Sequence, residues 1–186
     1  MNERLQLLEG FLEKETADCL LKWALTTVTW ECESIVSFGR SIRVPRKVSW
    51  FGDHNYSYTY SGIQHVASGW PDELVSIKNR ISKEFECKLN FVLLNLYENG
   101  NDYMGWHADN EAGLLDPIVS LSLGATRDLL IKTNSQSNSE KIQLQHGTLL
   151  VHGRSLRHTL PKRKNCKEKR INLSFRGICA NAHGQC

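Results

Sequence analysis

FVLLNLYENGNDYMGWHADNE, residues 91–111, is where this chain turns from a helical pattern to one of short strands. FVLLNLY (91–97) runs apolar and carries two polar groups near its end, Asn95 and Tyr97. These share a face with Phe91 and Leu93, because side chains two apart along a strand point the same way. A glycine-bearing turn follows (Asn99, Gly100, Asn101), and beyond it come His107 and Asp109. In an extended segment that imidazole and that carboxylate project to one side and can hold one metal ion between them. Two protein ligands rarely complete a catalytic centre, so a third donor is needed from elsewhere.

Downstream the strand pattern continues through IVSLSLG (118–124), DLLIK (128–132), KIQLQ (141–145), TLLVH (148–152) and RINLSFRG (170–177), with turn-forming residues between them. TNSQSNSE (133–140) reads as a polar hairpin loop with no chemistry in it. The last strand is the second anchor of the reading. Arg170, Asn172, Ser174 and Arg176 fall on one of its faces, and Ile171, Leu173 and Phe175 on the other. Two guanidiniums pointing into a small barrel are costly unless anions meet them. A dicarboxylate would satisfy both through paired, charge-assisted hydrogen bonds.

Upstream the period is helical. Ala17, Leu20, Leu21, Ala24 and Leu25 form one stripe over 14–28, and Leu74, Ile77, Ile81 and Phe85 form another after Pro71, which sits at a favoured first position. Between them, a strand from Trp30 to Val36 leads into SFGRSIRVPRKVSWFGDHNYSYTYSG (37–62), which mixes four basic residues with six aromatics and shows no helical period. That mixture suits strands and loops that meet a ligand. Two helices followed by six or more strands predict a mainly β protein with flanking helices, an α+β jelly roll.

The 186 residues suit a single domain, with 40% apolar and 23% charged residues, as in an ordinary soluble globular protein. No run of eighteen apolar residues is present, and MNERLQLLEGFLEKE carries acids where a signal peptide would be apolar, so neither a membrane span nor secretion is expected. The six cysteines (Cys19, Cys32, Cys87, Cys166, Cys179, Cys186) have no C-x-x-C spacing and are expected to be free thiols in a reducing compartment. A net charge of +3 permits an acidic partner such as nucleic acid without demanding one.

Of the seven histidines, six besides His107 are candidates for the third ligand. His54 and His65 lie in the early aromatic region and His183 in the tail; His146 sits at a turn, His152 ends TLLVH, and His158 precedes the arginine strand. Spacing alone leaves both His152 and His158 open. A structural zinc site fits less well, because two histidines and one carboxylate leave open a position that such sites close.

The spaced set Asn95-x-Tyr97, His107-x-Asp109-x-Glu111, a later His158, then Arg170-x-Asn172 and Arg176 resembles the AlkB family of Fe(II)- and 2-oxoglutarate-dependent dioxygenases. The similarity runs from about residue 30 to 178. It is strongest to the members that repair double-stranded DNA, through FGRSIRVPRK, YTYSG, DPIVSLSLGATRD and HTLPKRK. The resemblance implies a double-stranded β-helix (jelly-roll) core over about 91–178, with N-terminal helices and a nucleotide-recognition lid over about 1–90. It implies iron held by His107, Asp109 and His158, a facial triad that leaves positions for cosubstrate and O₂. Arg170, Asn172 and Tyr97 would then hold the distal carboxylate of 2-oxoglutarate, with Asn95 and Arg176 nearer the metal and Arg176 also orienting Asp109.

On the substrate side, the resemblance places Tyr58 and Tyr60 along the pocket for an extruded base, opposite His107, with Glu111 accepting from an exocyclic amine. Phe38 matches a finger residue that fills the gap left by the base. Arg40, Arg43, Arg46 and Lys47, with Lys162, Arg163 and Lys164 in KRKNCKEKR (162–170), would meet phosphates. The implied activity is oxidative demethylation of alkylated DNA, duplex favoured and single strand possible, by an intracellular monomer, cytoplasmic in a bacterium and nuclear in a eukaryote. A demethylase of RNA or protein, or a silent nucleic-acid-binding module, are the competing expectations.

Overall fold

The computed structural model describes residues 5–37, 40–54, 56–60, 63–132 and 138–179, and at 35–37, 40–43, 58–60 and 63 it describes the backbone. In chain order the elements are β1 (Leu5–Leu8), α1 (Lys14–Thr26), β2 (Glu31–Ser37), β3 (Arg40–Gly52), β4 (Ser57–Tyr60), β5 (Ile63–Val66), α2 (Asp72–Glu84) and β6 (Phe91–Tyr97). Then follow β7 (Met104–His107), β8 (Leu114–Gly124), β9 (Arg127–Lys132), β10 (Glu140–Leu144), β11 (Leu149–His152), β12 (Arg157–Leu160) and β13 (Arg170–Ile178). The strands form a seven-stranded sheet in the order β1-β11-β8-β13-β6-β3-β2, a four-stranded sheet β10-β9-β12-β7, and a separate β4-β5 hairpin. The expected mainly β arrangement with two helices is what the chain adopts.

Strand β13 sits at the centre of the large sheet, between β8 and β6, and its alternation organises both sides. Ile171, Leu173 and Phe175 are fully buried against Ala17, Leu20 and Ala24 of α1 and Leu74, Ile77 and Ile81 of α2. Each such side chain removed from water contributes about 1.5–3 kcal/mol, so this layer holds the helices on the sheet. Arg170, Asn172, Ser174 and Arg176 face the other way, into the space between the two sheets.

Helix α1 stops at Thr26, short of the expected residue 28. Thr26, Thr27, Val28 and Thr29 are all β-branched and resist continuation, and the Trp30 indole N–H takes up the Ala24 carbonyl at 3.1 Å. Pro71 caps α2 instead of opening it, while Asp72 and Glu73 in the first turn oppose the positive end of the helix dipole. Of the described cysteines, Cys19 and Cys166 are free thiols, but Cys179 is disulfide-bonded, contrary to the all-thiol expectation. Pairing depends on which segments meet in space, and scattered cysteines carry no record of that. Among the described residues no helix is long and apolar enough to cross a membrane.

One clamp fixes the small sheet. Arg127 is 1% exposed and donates through Nη2 to the carbonyls of Asp102 (2.9 Å) and Pro161 (2.6 Å). It thereby joins the turn before β7 to the exit of β12. Gly100 completes the clamp: its N–H bonds the Cys166 carbonyl and its own carbonyl accepts from Arg163 N–H, both at 2.8 Å. A Cβ at Gly100 would fall 1.7 Å from the Arg163 carbonyl oxygen, so only glycine permits this approach.

Candidate active site

The register of β13 on β6 sets Arg170 opposite Tyr97, Asn172 opposite Asn95 and Ser174 opposite Leu93, which aims all of them into one cavity. About 580 Å³ of atom-free space, part of it continuous with solvent, lies in that cavity and its mouth. Leu129, Leu144 and Leu160 from the small sheet and Leu150 from the large one supply apolar lining. A mostly apolar cavity with a few convergent polar groups is the usual form of a small-molecule site.

His107 ends β7, His158 is the second residue of β12, and the two are cross-strand partners with ring centroids 4.2 Å apart. Asp109 lies two residues past His107, and its carboxylate is 3.8 Å from His158 Nε2. One donor atom from each of the three lies within 4.8 Å of the others. Donors so placed need draw in by only a few tenths of an ångström to share a single ion at bonds of about 2.0–2.2 Å. The tautomers agree with that use. His107 Nδ1 is 2.9 Å from the Gly105 carbonyl, and His158 Nδ1 is 2.9 Å from the Leu156 carbonyl. A carbonyl only accepts, so both Nδ1 atoms carry the proton and both Nε2 atoms keep a lone pair for a metal.

Charge is arranged to the same end. Burial alone would push the Asp109 carboxyl up, but Arg176, whose Nη2 donates to it at 2.8 Å, and the surrounding histidines hold it down to about 2. Burial, then the neighbouring His158, lowers His107 to about 4, against the pull of Asp109. His152 is lowered to about 4 by the same causes in the same order. The carboxylate is therefore ionised and these imidazoles neutral at neutral pH, as metal ligation requires.

A stability consequence follows for the metal-free protein. Below about pH 6.5 the unfolded chain protonates both histidines, whereas the folded one resists down to about 4. The unfolded state binds more protons in that window, so stability falls as pH falls. Asp109 is ionised in both states there and adds nothing. Chelator-treated protein should lose roughly 2–4 kcal/mol between pH 7 and pH 5. Equal melting temperatures at the two pH values would mean the imidazoles are not held neutral.

At the other end of the cavity, Arg170 is 2% exposed, and burial lowers it to about 10. Its Nη2 donates to Ser122 Oγ (2.9 Å) and Asn172 Oδ1 (3.1 Å), and the guanidinium lies 5.4 Å from the Tyr97 ring centroid. Its buried Nε has no hydrogen-bond partner. All its described partners are neutral, so this buried cation still needs an anion, which the cavity has room to admit.

The structure thus brings together His107, Asp109, His158, Asn95, Tyr97, Arg170, Asn172 and Arg176, as expected. Arg46, expected among the basic residues that meet phosphates, is 6% exposed, and its Nε donates to Asn95 Oδ1 at 2.6 Å. It is bonded to a residue of the cavity lining and is not itself part of that lining. Glu111 stands outside the cavity lining, with Oε2 buried and unpaired. Arg163 bonds the Thr126 carbonyl at 2.7 Å and Lys164 is exposed, both away from the cavity. Tyr58 and Tyr60 lie in β4, and Phe38 lies outside the described residues.

His152, the rival ligand by spacing, lines the cavity 5.2 Å from the His158 ring but is not in the metal cluster. Sequence reasoning passed over Ser122, the hydroxyl partner of Arg170. The alternating serines of IVSLSLG, small and polar opposite Val119, Leu121 and Leu123, were its legible signal.

Residues 4–176 match the 2OG-Fe(II) oxygenase superfamily. The chain is 32% identical to human alpha-ketoglutarate-dependent dioxygenase alkB homolog 3, an alignment covering 97% of this chain and 68% of that protein. It is 36% identical to human DNA oxidative demethylase ALKBH2 over 76% of this chain, and spans 59% of that protein's length. In fold it is similar to a 2OG-Fe(II) oxygenase family oxidoreductase from Burkholderia pseudomallei, with a TM-score of 0.65 at 12% identity over 95% of this chain and 87% of that one. A buried arginine with only neutral partners, a metal-competent triad and these matches agree: the chain belongs to the 2OG-Fe(II) oxygenase superfamily, and within it to the AlkB family of dioxygenases.

Proposed function

We propose that this protein removes alkyl groups from nitrogen atoms of DNA bases by oxidation, acting as a monomer with duplex DNA as the favoured substrate. The observation that carries the reading is the buried Arg170, a cation without an anion at one end of a cavity whose other end holds His107, Asp109 and His158. Bound Fe(II), with 2-oxoglutarate and O₂, supplies hydroxylation of the N-alkyl carbon, which then leaves as an aldehyde, alongside succinate and CO₂.

The chain's own part is to bind, orient and exclude water. His107, Asp109 and His158 hold the metal, and Arg176 keeps the Asp109 carboxylate ionised and aimed. Arg170 and Asn172 take the distal carboxylate of the cosubstrate, with Tyr97 against it and Asn95 and Arg176 toward the metal. Leu129, Leu144 and Leu160 keep water from that end. The alkylated base enters from the β4–β5 side, where Tyr58 and Tyr60 flank it, opposite His107, and Glu111 accepts from its amine. Arg46 holds Asn95 in place, Arg163 and Lys164 meet phosphates, and Phe38 fills the vacated stack.

Aldehyde and succinate release should be measured on methylated duplex DNA, single-stranded DNA, RNA and a methylated peptide. Iron-dependent release from DNA is the expected result; release confined to the peptide or to RNA would overturn the reading. Phe38→Ala should depress turnover on duplex about tenfold more than on single strands, which have little stacking to restore. Equal losses on the two would remove the case for duplex.

A further inference from the structure

The residues that precede the two histidine ligands form a feature the site itself does not use. His107 and His158 line the cavity, whereas Trp106 and Arg157 are exposed and take no part in its lining. Lys132 is the cross-strand partner of Arg157, as Ile131 is of His158, and so lies on the same outer face. Strands β7 and β9 end at this row and β12 begins there, which puts the three side chains on the sheet's rim beside the metal ligands. Trp106 is 40% exposed, the most exposed of the five tryptophans, and Lys132 Nζ stands 5.1 Å from its ring centroid. Arg157 is exposed.

We propose that Trp106, Lys132 and Arg157 form a stacking platform for an unpaired nucleotide flanking the target base, a reading that rests on the nucleic-acid function proposed above. An exposed indole set among cations suits a single-stranded polyanion. The ring offers a stacking surface that any base can use, and the two cations meet the adjoining phosphates. The interior of a duplex cannot use it, because its bases are already stacked on both faces. The platform therefore favours frayed or single-stranded tracts beside the lesion, and stacking on a ring does not read the sugar, so deoxy and ribo strands both qualify.

The test uses the intact protein and twelve-residue oligothymidine and oligouridine strands with unmodified bases and a terminal fluorophore, with affinity read from the anisotropy of the strand and stacking from quenching of tryptophan fluorescence. Both strands should quench the wild type. Trp106→Ala should lose most of the quenching and bind about five- to tenfold more weakly, and Trp106→Phe should restore affinity without the fluorescence signal. In turnover, Trp106→Ala should raise the KM for a methylated single strand more than for a blunt methylated duplex. Lys132→Gln together with Arg157→Gln should weaken strand binding and flatten its salt dependence. Unchanged strand affinity in Trp106→Ala, equal losses on strand and duplex, or a Phe variant as weak as Ala would each overturn the platform. Failure of the wild type to release aldehyde from any oligonucleotide would instead sink the underlying function, and is read separately from the quenching.

Discussion

Asp109→Ala should bring turnover to background and remove Fe(II) binding, the largest effect expected of any single substitution here. The variant deletes one of three donors and also strips Arg176, itself 3% exposed, of the carboxylate it meets at 2.8 Å. Breaking a buried pair from one side costs about 3–5 kcal/mol, so part of the protein could be lost to unfolding. Asp109→Asn separates the two effects, since it keeps the shape and an acceptor for Arg176 while discarding the charge. It should fold and bind metal poorly. Binding is read directly with Co(II) in place of Fe(II), whose visible absorption reports ligation without turnover. His158→Ala should fail in the same titration and His152→Ala should not. The reverse pattern would show that the wrong histidine has been assigned.

Arg170→Ala comes second. The guanidinium is buried, is held by Ser122 and Asn172, and lies against Tyr97. Removing one partner of a buried charge pair costs about 2–5 kcal/mol, which is roughly thirtyfold to several thousandfold in the 2-oxoglutarate requirement. Arg170→Lys should fall between, because an ammonium keeps the charge but not the two-pronged geometry. A titration of 2-oxoglutarate against succinate release measures all three proteins. An unchanged requirement in Arg170→Ala would mean that the dicarboxylate binds elsewhere.

What could be read from the chain without its structure was whatever is written in period two or 3.6. The faces of β13 and β6 were legible because Arg170, Asn172, Ser174 and Arg176 alternate with apolar residues. Strands β1, β7 and β12 were not, since none of these four-residue stretches has the unbroken apolar run that marked the equally short β11. Spacing left His152 and His158 open and only the resemblance chose His158; the physical ground is cross-strand register, since His158 pairs with His107 and His152 does not. Spacing along one chain does not encode that. Arg46 looked like its basic neighbours, and its burial depends on Asn95, which is 49 residues away. Arg127 gave no signal either, because its partners are main-chain carbonyls, which every residue possesses.

The two-faced β13 also bears on how such a protein can change over generations. One set of its side chains supports the helices and the alternate set supports the cavity, so a single inserted or deleted residue would exchange the two sets wholesale. Substitution can retune one face at a time, but the strand's length has no neutral variants. Descendants with new substrates are thus expected to differ in the reach of their loops and the contents of their lids, around a nine-residue ruler that cannot be recut.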